Sequence, residues 1–270
     1  MNADPDTLPE FGNPPIAEVA VSIQFDAIEE LNAAVLGLLW GEYSKNYPHA
    51  EQHPPLPRVV ETFEDQVRSQ VKVEKKFPTP RLWFITEGKT KLIQVQPDRF
   101  IVNWRGLDSE EKYPRYSTLR EELLREFVIF QQFVRNQCER ELTPNQAELT
   151  YVNHIPQPVG TTTAEDLANL LRVADWQEIC SDAEDFRLRV SYLMNEFESP
   201  IGRVHLDITT ANRVADGAPL IVLQLVGRGS PKRPDIEGAL EFLDIAHYWL
   251  VTKFAEITTS EMHAEWERTQ

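Results

Sequence analysis

Val19-Ala20-Val21-Ser22-Ile23-Gln24-Phe25 alternates apolar with small or polar residues at a period of two, the pattern of a strand that buries one face. Ala147 to Ile155 does the same, with Leu149, Tyr151, Asn153 and Ile155 sharing a face. The elements downstream of each stretch are also alike in order. After the first, Ile28, Leu31, Val35, Leu38 and Leu39 recur at helical spacing towards Tyr43, with Asp26 the expected N-cap and Glu29 in the first turn. Val71–Glu74, Leu82–Thr86, Lys91–Gln96 and Arg99–Arg105 then read as strands separated by turn signals at Glu87-Gly88-Lys89 and Pro97-Asp98. A helix closes the series: Thr118 and Glu121 form the expected capping box, and Leu119, Leu123, Phe127, Phe130 and Val134 make its stripe.

After the second stretch the order begins again. Thr163–Leu171 is predicted as a short helix, Phe186–Tyr192 and Val204–Ile208 alternate as strands, and Leu220–Val226 is apolar enough for a strand buried on both faces. The last long helix is predicted over Pro234–Ile257, with Leu240, Leu243, His247, Leu250, Val251 and Phe254 on its stripe, and Thr258 with Glu261 caps a terminal helix. The expected fold is α+β: a pseudo-duplicated strand-helix-meander-helix order, with a largely antiparallel sheet packed by long helices. That order is similar to helix-grip and saddle-type folds. Residues 1–15 are expected as an extended lead-in, because Asn13-Pro14-Pro15 disfavours helix. Residues 16–270 form a single body of two similar halves, about 16–146 and 147–270. Tyr47–Val59, with four prolines and two histidines, is predicted to be a mobile surface connection.

The charge balance narrows the function. Forty-three acidic against 27 basic residues give a net charge of -16, a field that repels phosphate backbones and anionic lipid. The compact basic stretches Val71–Lys76 and Arg228–Arg233 have acidic neighbours and read as solvated edge or loop. Nucleic acid is therefore not an expected partner. Two cysteines, Cys138 and Cys180, make no disulfide framework or zinc motif, which fits a reducing cytoplasm. The acidic N-terminus has no signal-peptide pattern, and no apolar run approaches the ~18 residues that span a bilayer.

Candidate chemistry is sparse. Asn103 and Arg105 end one strand and Tyr151, Asn153 and His154 lie on another, so two amides, a guanidinium, a phenol and an imidazole form a recognition patch if the strands are neighbours. The alternative weighs more heavily: Trp104 and Tyr151 as core aromatics, with Asn153 serving backbone. His247 sits on an apolar stripe with Asp244 one turn before it, a spacing that suits either a tuned base or a core-edge histidine. His154, His205, Asp207 and His247 lie on separate elements without a local ligand pair, so no metal and no cofactor are expected. Gly227-Arg228-Gly229-Ser230 lacks the features of a phosphate loop and reads as the turn into the last helix. Asp182, Glu184 and Asp185, and the Glu110-Glu111 pair, read as solvated loops rather than calcium ligands.

The Pro14-Pro15-Ile16-Ala17-Glu18-Val19 strand, Asn103-Trp104-Arg105, Tyr113-Pro114-Arg115-Tyr116, Tyr151-Val152-Asn153 and the Ala246-His247 and Phe254–Trp266 regions together resemble a sporadically distributed family of uncharacterised bacterial proteins. The resemblance runs nearly full length. It implies a bacterial, cytoplasmic protein whose patchy occurrence suits accessory or mobile gene clusters, and it brings no catalytic residue with it. The sequence-based expectation is a non-enzymatic binding or assembly protein that holds a protein partner or a second copy of itself. Asn103, Arg105, Tyr151, Asn153, His154 and His247 are the candidate binding residues. A small-molecule binder of helix-grip type is the alternative, and a hydrolase or transferase using His247, His154 and Asn153 is the third reading.

Overall fold

The architecture comes from a computed structural model, which describes residues 8–63, 78–106, 112–156, 167, 169–172 and 186–269. The elements in chain order are β1 (Ile16–Phe25), α1 (Ala33–Tyr43), β2 (His49–His53), β3 (Arg81–Ile85), β4 (Lys91–Gln96), β5 (Arg99–Arg105), α2 (Tyr116–Cys138), β6 (Pro144–Pro156), β7 (Arg187–Glu196), β8 (Ser199–Asn212), β9 (Pro219–Gly229), α3 (Ile236–Ile257) and α4 (Ser260–Glu265). The strands form one nine-stranded sheet in the order β2-β3-β4-β5-β1-β6-β9-β8-β7. All neighbours are antiparallel.

The seam is β1 against β6, where Val19, Val21 and Ile23 face Tyr151, Leu149 and Ala147. Side chains directly opposite in an antiparallel pair share a face. From that register one face carries Val19, Val21, Ile23 and Phe25, with Phe100, Val102 and Trp104 of β5 and Leu223 and Leu225 of β9. The helices cover this face. Phe127 and Phe130 of α2 pack on Phe100, Phe130 on Phe25, and Tyr43 of α1 stacks on Phe84 of β3. Each such ring removed from water contributes roughly 1.5–3 kcal/mol. The α2 stripe read from the sequence, Leu119, Leu123, Phe127, Phe130 and Val134, is buried as expected.

At the other end α3 lies on β6, β9 and β8. Gly227 and Gly229 are not a turn, as the sequence suggested, but the last residues of β9 on the covered face. A Cβ on Gly227 would meet Ala246 at 3.0 Å, and one on Gly229 would meet Phe242 at 2.6 Å and collide with the Ile201 carbonyl. The missing side chains let the helix descend onto the strand.

The opposite, open face is polar yet buried in its middle: Ser22, Gln24, Gln94, Gln96, Arg99, Asn103 and Gln146 are all nearly inaccessible. The cover is the segment predicted to be a mobile connection. Its first part is the edge strand β2, and Pro54–Phe63 forms a strap running across the strands. The Leu56 N–H donates to Gln96 Oε1 (2.9 Å), Arg99 Nη2 donates to the Pro57 carbonyl (3.2 Å), and Gln24 Nε2 donates to the Val59 carbonyl (3.1 Å). Glu61 then accepts from Arg203 Nη1 (2.6 Å), is bonded by His205 Nε2 (2.6 Å) and pairs with Arg228 at 3.3 Å. Prolines that forbid helix thus deliver backbone carbonyls to glutamine and arginine side chains, which satisfies polar groups that burial would otherwise leave unpaired.

Several boundaries move from their expected places. Helix α1 starts at Ala33, not near Asp26, because the N–H groups of Phe25 and Ile28 are taken by the Asp98 and Pro97 carbonyls and Asn32 supplies the cap to Ala34 and Val35. Helix α2 starts two residues before Thr118, with Arg115 at its N-cap and no side-chain cap. Thr259 rather than Thr258 caps α4, since the Thr258 hydroxyl donates to the Phe254 carbonyl. The strand expected at 71–74, most of the helix expected at 163–171, Cys180 and the acidic loop residues 110–111 and 182–185 lie outside the described residues. No helix among the described residues is long and apolar enough to cross a membrane.

The Glu61 cluster has a pH signature. Burial pushes its carboxyl up, but the hydrogen bonds from His205 and Arg203 and the nearby Arg228 outweigh it and hold the carboxyl down to about 2. A depressed carboxylate contributes stability that is complete above its ordinary value near 4.5 and is lost as pH falls through the folded value. Glu61→Gln should cost on the order of 3 kcal/mol at neutral pH. It should also flatten the stability loss between pH 4.5 and 2 seen by urea denaturation; an unchanged acid limb would contradict the clamp.

Candidate functional site

A cavity of about 390 Å³ opens on the covered face where α3 passes over β6 and β9, beyond the start of α2. Leu225 and Ile16 form its sheet wall and Leu250, Val251 and Phe254 its helix wall. The third wall is the described part of the lead-in, from Leu8 to Pro14. Phe11 is buried against Phe254 with centroids 5.3 Å apart, and the Gly12 and Asn13 N–H groups bond the Glu267 and Trp266 carbonyls. The fourth is the turn at Tyr113 and Arg115 together with the first residues of α2, Tyr116 and Ser117. There Arg115 takes φ 74 and ψ 155, a region that disfavours any residue with a Cβ by about 1–3 kcal/mol, and donates from Nη1 to the Phe11 carbonyl at 2.9 Å. The strain and the bond together bring lead-in and turn to the same mouth.

Polar groups gather on one side. Tyr113 and Tyr151 hydroxyls lie 3.2 Å apart, and the Tyr151 hydroxyl is 3.0 Å from His247 Nδ1. Two proton arrangements satisfy this chain, one for each imidazole tautomer. Tyr116 stacks on the His247 ring at 4.1 Å, and its hydroxyl donates to Asp244 Oδ1 at 2.7 Å. Asp244 does not orient His247, contrary to the expectation from their spacing. Arg120 occupies it with two bonds of 2.7 and 2.9 Å.

Among the lining residues Glu10 and Arg115 carry charge, while the grouped tyrosines and His247 do not. Burial drives the His247 pKa down to about 4, against a small opposing pull from Asp244. Burial raises Tyr113 to about 12 and pushes Tyr116 and Tyr151 well above the usual phenol range. At neutral pH the three tyrosine hydroxyls and the His247 imidazole are therefore uncharged and offer hydrogen-bond donors and acceptors.

The six residues singled out in the sequence do not converge. Tyr151, Asn153 and His247 line the cavity. Asn153 there serves backbone, donating to the Leu223 carbonyl at 3.0 Å. Asn103, Arg105 and His154 project from the open face, because alternation along β5 and β6 sends odd and even positions to opposite sides. The enzyme reading needed His247, His154 and Asn153 around one point, and the sheet stands between them. The imagined metal set disperses likewise: His205 is bonded to Ser191 and Glu61, and Asp207 to Arg187 and Arg189. Among the described residues no three His, Cys, Asp or Glu side chains are placed to hold a metal. Sequence reasoning misses Tyr113, Arg115 and Tyr116 as site residues, although two tyrosines flanking Pro114-Arg115 ahead of a strong helix are a signal that could have found them.

A depressed imidazole is worth stability only while it is neutral. The unfolded chain takes up the proton near 6.5 and the folded one only near 4, so stability is complete above about 6.5 and falls as pH drops to 4. The loss should reach up to about 3 kcal/mol. His247→Phe should lack this step in urea melts run from about pH 8 to 4, and equal slopes for the two proteins would show that the ring is accessible to protons.

No protein-family model matches the chain, and no curated protein matches it significantly. Among solved structures, the crystal structure of the di-domain ARO/CYC StfQ from the steffimycin biosynthetic pathway aligns over 88% of this chain and 98% of that one, at 12% identity and a TM-score of 0.18, a likeness that carries no argument about fold or function.

Proposed function

We propose that this protein binds a small molecule in the cavity between α3 and the sheet. The ligand class is an uncharged compound with a flat apolar body and a hydrogen-bonding oxygen or nitrogen. The observation that carries the reading is a cavity of about 390 Å³, in the range of ligand sites, whose apolar walls converge on Tyr113, Tyr151 and neutral His247. A protein partner is the first expectation from sequence alone; the cavity turns the preference to the small-molecule alternative. In this reading the halves are a duplication, each a strand, a meander and a long helix, with β1 and β6 as the paired first strands. Helix α3 grips its ligand against the second half, as in a helix-grip fold.

The uncharged fluorescent probe N-phenyl-1-naphthylamine, a flat apolar body with one N–H, tests this. It should bind saturably with one site per chain. Val251→Trp, which fills the cavity from a partly exposed position on α3, should weaken it at least about tenfold, or roughly 1.4 kcal/mol. The melting temperature should stay close to that of the parent. Binding that never saturates, or that ignores Val251→Trp in a folded variant, would place the probe elsewhere and remove the case for the cavity.

A further inference from the structure

A second cluster lies on the open face, on strands β1 to β5, and the cavity does not involve it. Arg81 Nη1 donates to Gln94 Oε1, Gln94 Nε2 to Asn103 Oδ1, and Asn103 Nδ2 to Glu18 Oε1, each at 2.7 Å. This relay crosses four strands, β3, β4, β5 and β1. The Arg81 and Arg105 guanidinium carbons stand 5.4 and 5.3 Å from the Trp83 ring, and His53 stacks on that ring at 3.8 Å.

Three N–H donors in this small area are buried and have no acceptor among the described residues: Arg81 Nε, Trp83 Nε1 and Arg105 Nε. Leaving such a donor unmade costs about 1–3 kcal/mol. Stacking on an indole does not account for them, because a guanidinium stacks with its flat face and offers its N–H groups at the edge. The internal bonds do not account for them either. Arg81 spends Nη1 on an amide and Arg105 spends Nη2 on the Lys89 carbonyl at 3.3 Å, while Glu18 is occupied by Asn103. The Glu18 carboxylate acts on both guanidinium groups through its charge but accepts from none of these three donors, so on side chains partly open to solvent they lack an acceptor of their own.

We propose that Arg81, Trp83 and Arg105 form a binding site for an oxyanion, a carboxylate or phosphoryl group. Two guanidinium edges bracket the anion and the indole N–H supplies a neutral donor, the geometry in which arginine exceeds lysine as an oxyanion ligand. To present Nε the guanidinium groups must slide on the indole, so anion binding alters the surroundings of Trp83.

The indole N–H resonance of Trp83, assigned by its loss in Trp83→Phe, reads this directly in ¹H–¹⁵N spectra. Inorganic phosphate titrated at constant ionic strength should shift it saturably, and a parallel acetate titration tells whether a carboxylate serves as well. Arg105→Gln should weaken the saturating anion roughly tenfold, while backbone resonances remote from β3 and β5 stay in place. Val251→Trp, which fills the cavity, should leave the titration unchanged. A shift that grows linearly without saturating, that neither anion produces, or that persists at full affinity in the folded Arg81→Gln, Arg105→Gln double variant would overturn the site.

Discussion

The register of β1 against β6 is the constraint on which the rest of the molecule depends. With Val19 opposite Tyr151 and Val21 opposite Leu149, every odd-numbered residue of β1 between 19 and 25 is committed to the helix-covered face and every even-numbered one to the open face. Because side chains alternate with a period of two, a slip of one residue would bring Glu18, Ser22 and Gln24 under the helices and carry Val19, Val21 and Ile23 outside. No compensation in α2 or α3 could absorb that. Registers on both sides of the seam propagate the choice to β4 in one direction and β8 in the other.

The two faces solve opposite problems. On the covered face, apolar strands meet apolar helices, and the glycines at 227 and 229 remove the side chains that would hold α3 away. The helix is thereby lowered over the end of β9, while past Leu225 the same helix and strand are no longer in full contact and the cavity opens. On the open face, buried glutamines and arginines would be a liability without partners. The proline-rich strap answers them with carbonyls, and Glu61 anchors its far end on β8 and β9. The chemistry of the cavity is set by its burial: an imidazole and phenols removed from water keep their neutral forms, so under the proposed function recognition rests on shape and hydrogen bonding.

Much of the fold is legible in the chain. The alternation of Val19 to Phe25 and of Ala147 to Ile155, and the stripe from Leu119 to Val134, reflect burial of one face of a regular element, which leaves a periodic mark in the sequence. The failures share a cause. Asn32 displaces Asp26 as a cap because Phe25 and Ile28 are tied to the β4–β5 turn, and the strap reads locally as a mobile connection because its partners are side chains of distant strands. Half of the site is legible as well: periodicity points to Tyr151, Asn153 and His247, but not to their companions Tyr113 and Tyr116, and helical spacing pairs Asp244 with the wrong neighbour.

The sequence by itself determined most of the described strands and the long helices, the antiparallel class, the apolar faces and the acidic balance, since each depends on residues near one another along the chain or on composition alone. Tertiary structure alone decided that Asn103 and Arg105 stand on the opposite side of the sheet from Tyr151 and His247. It also decided that the lead-in walls a cavity and that Glu61 reaches Arg203, His205 and Arg228. Those outcomes depend on which strands become neighbours and in what register, a choice set by packing between residues far apart in the chain, and local periodicity carries no record of it.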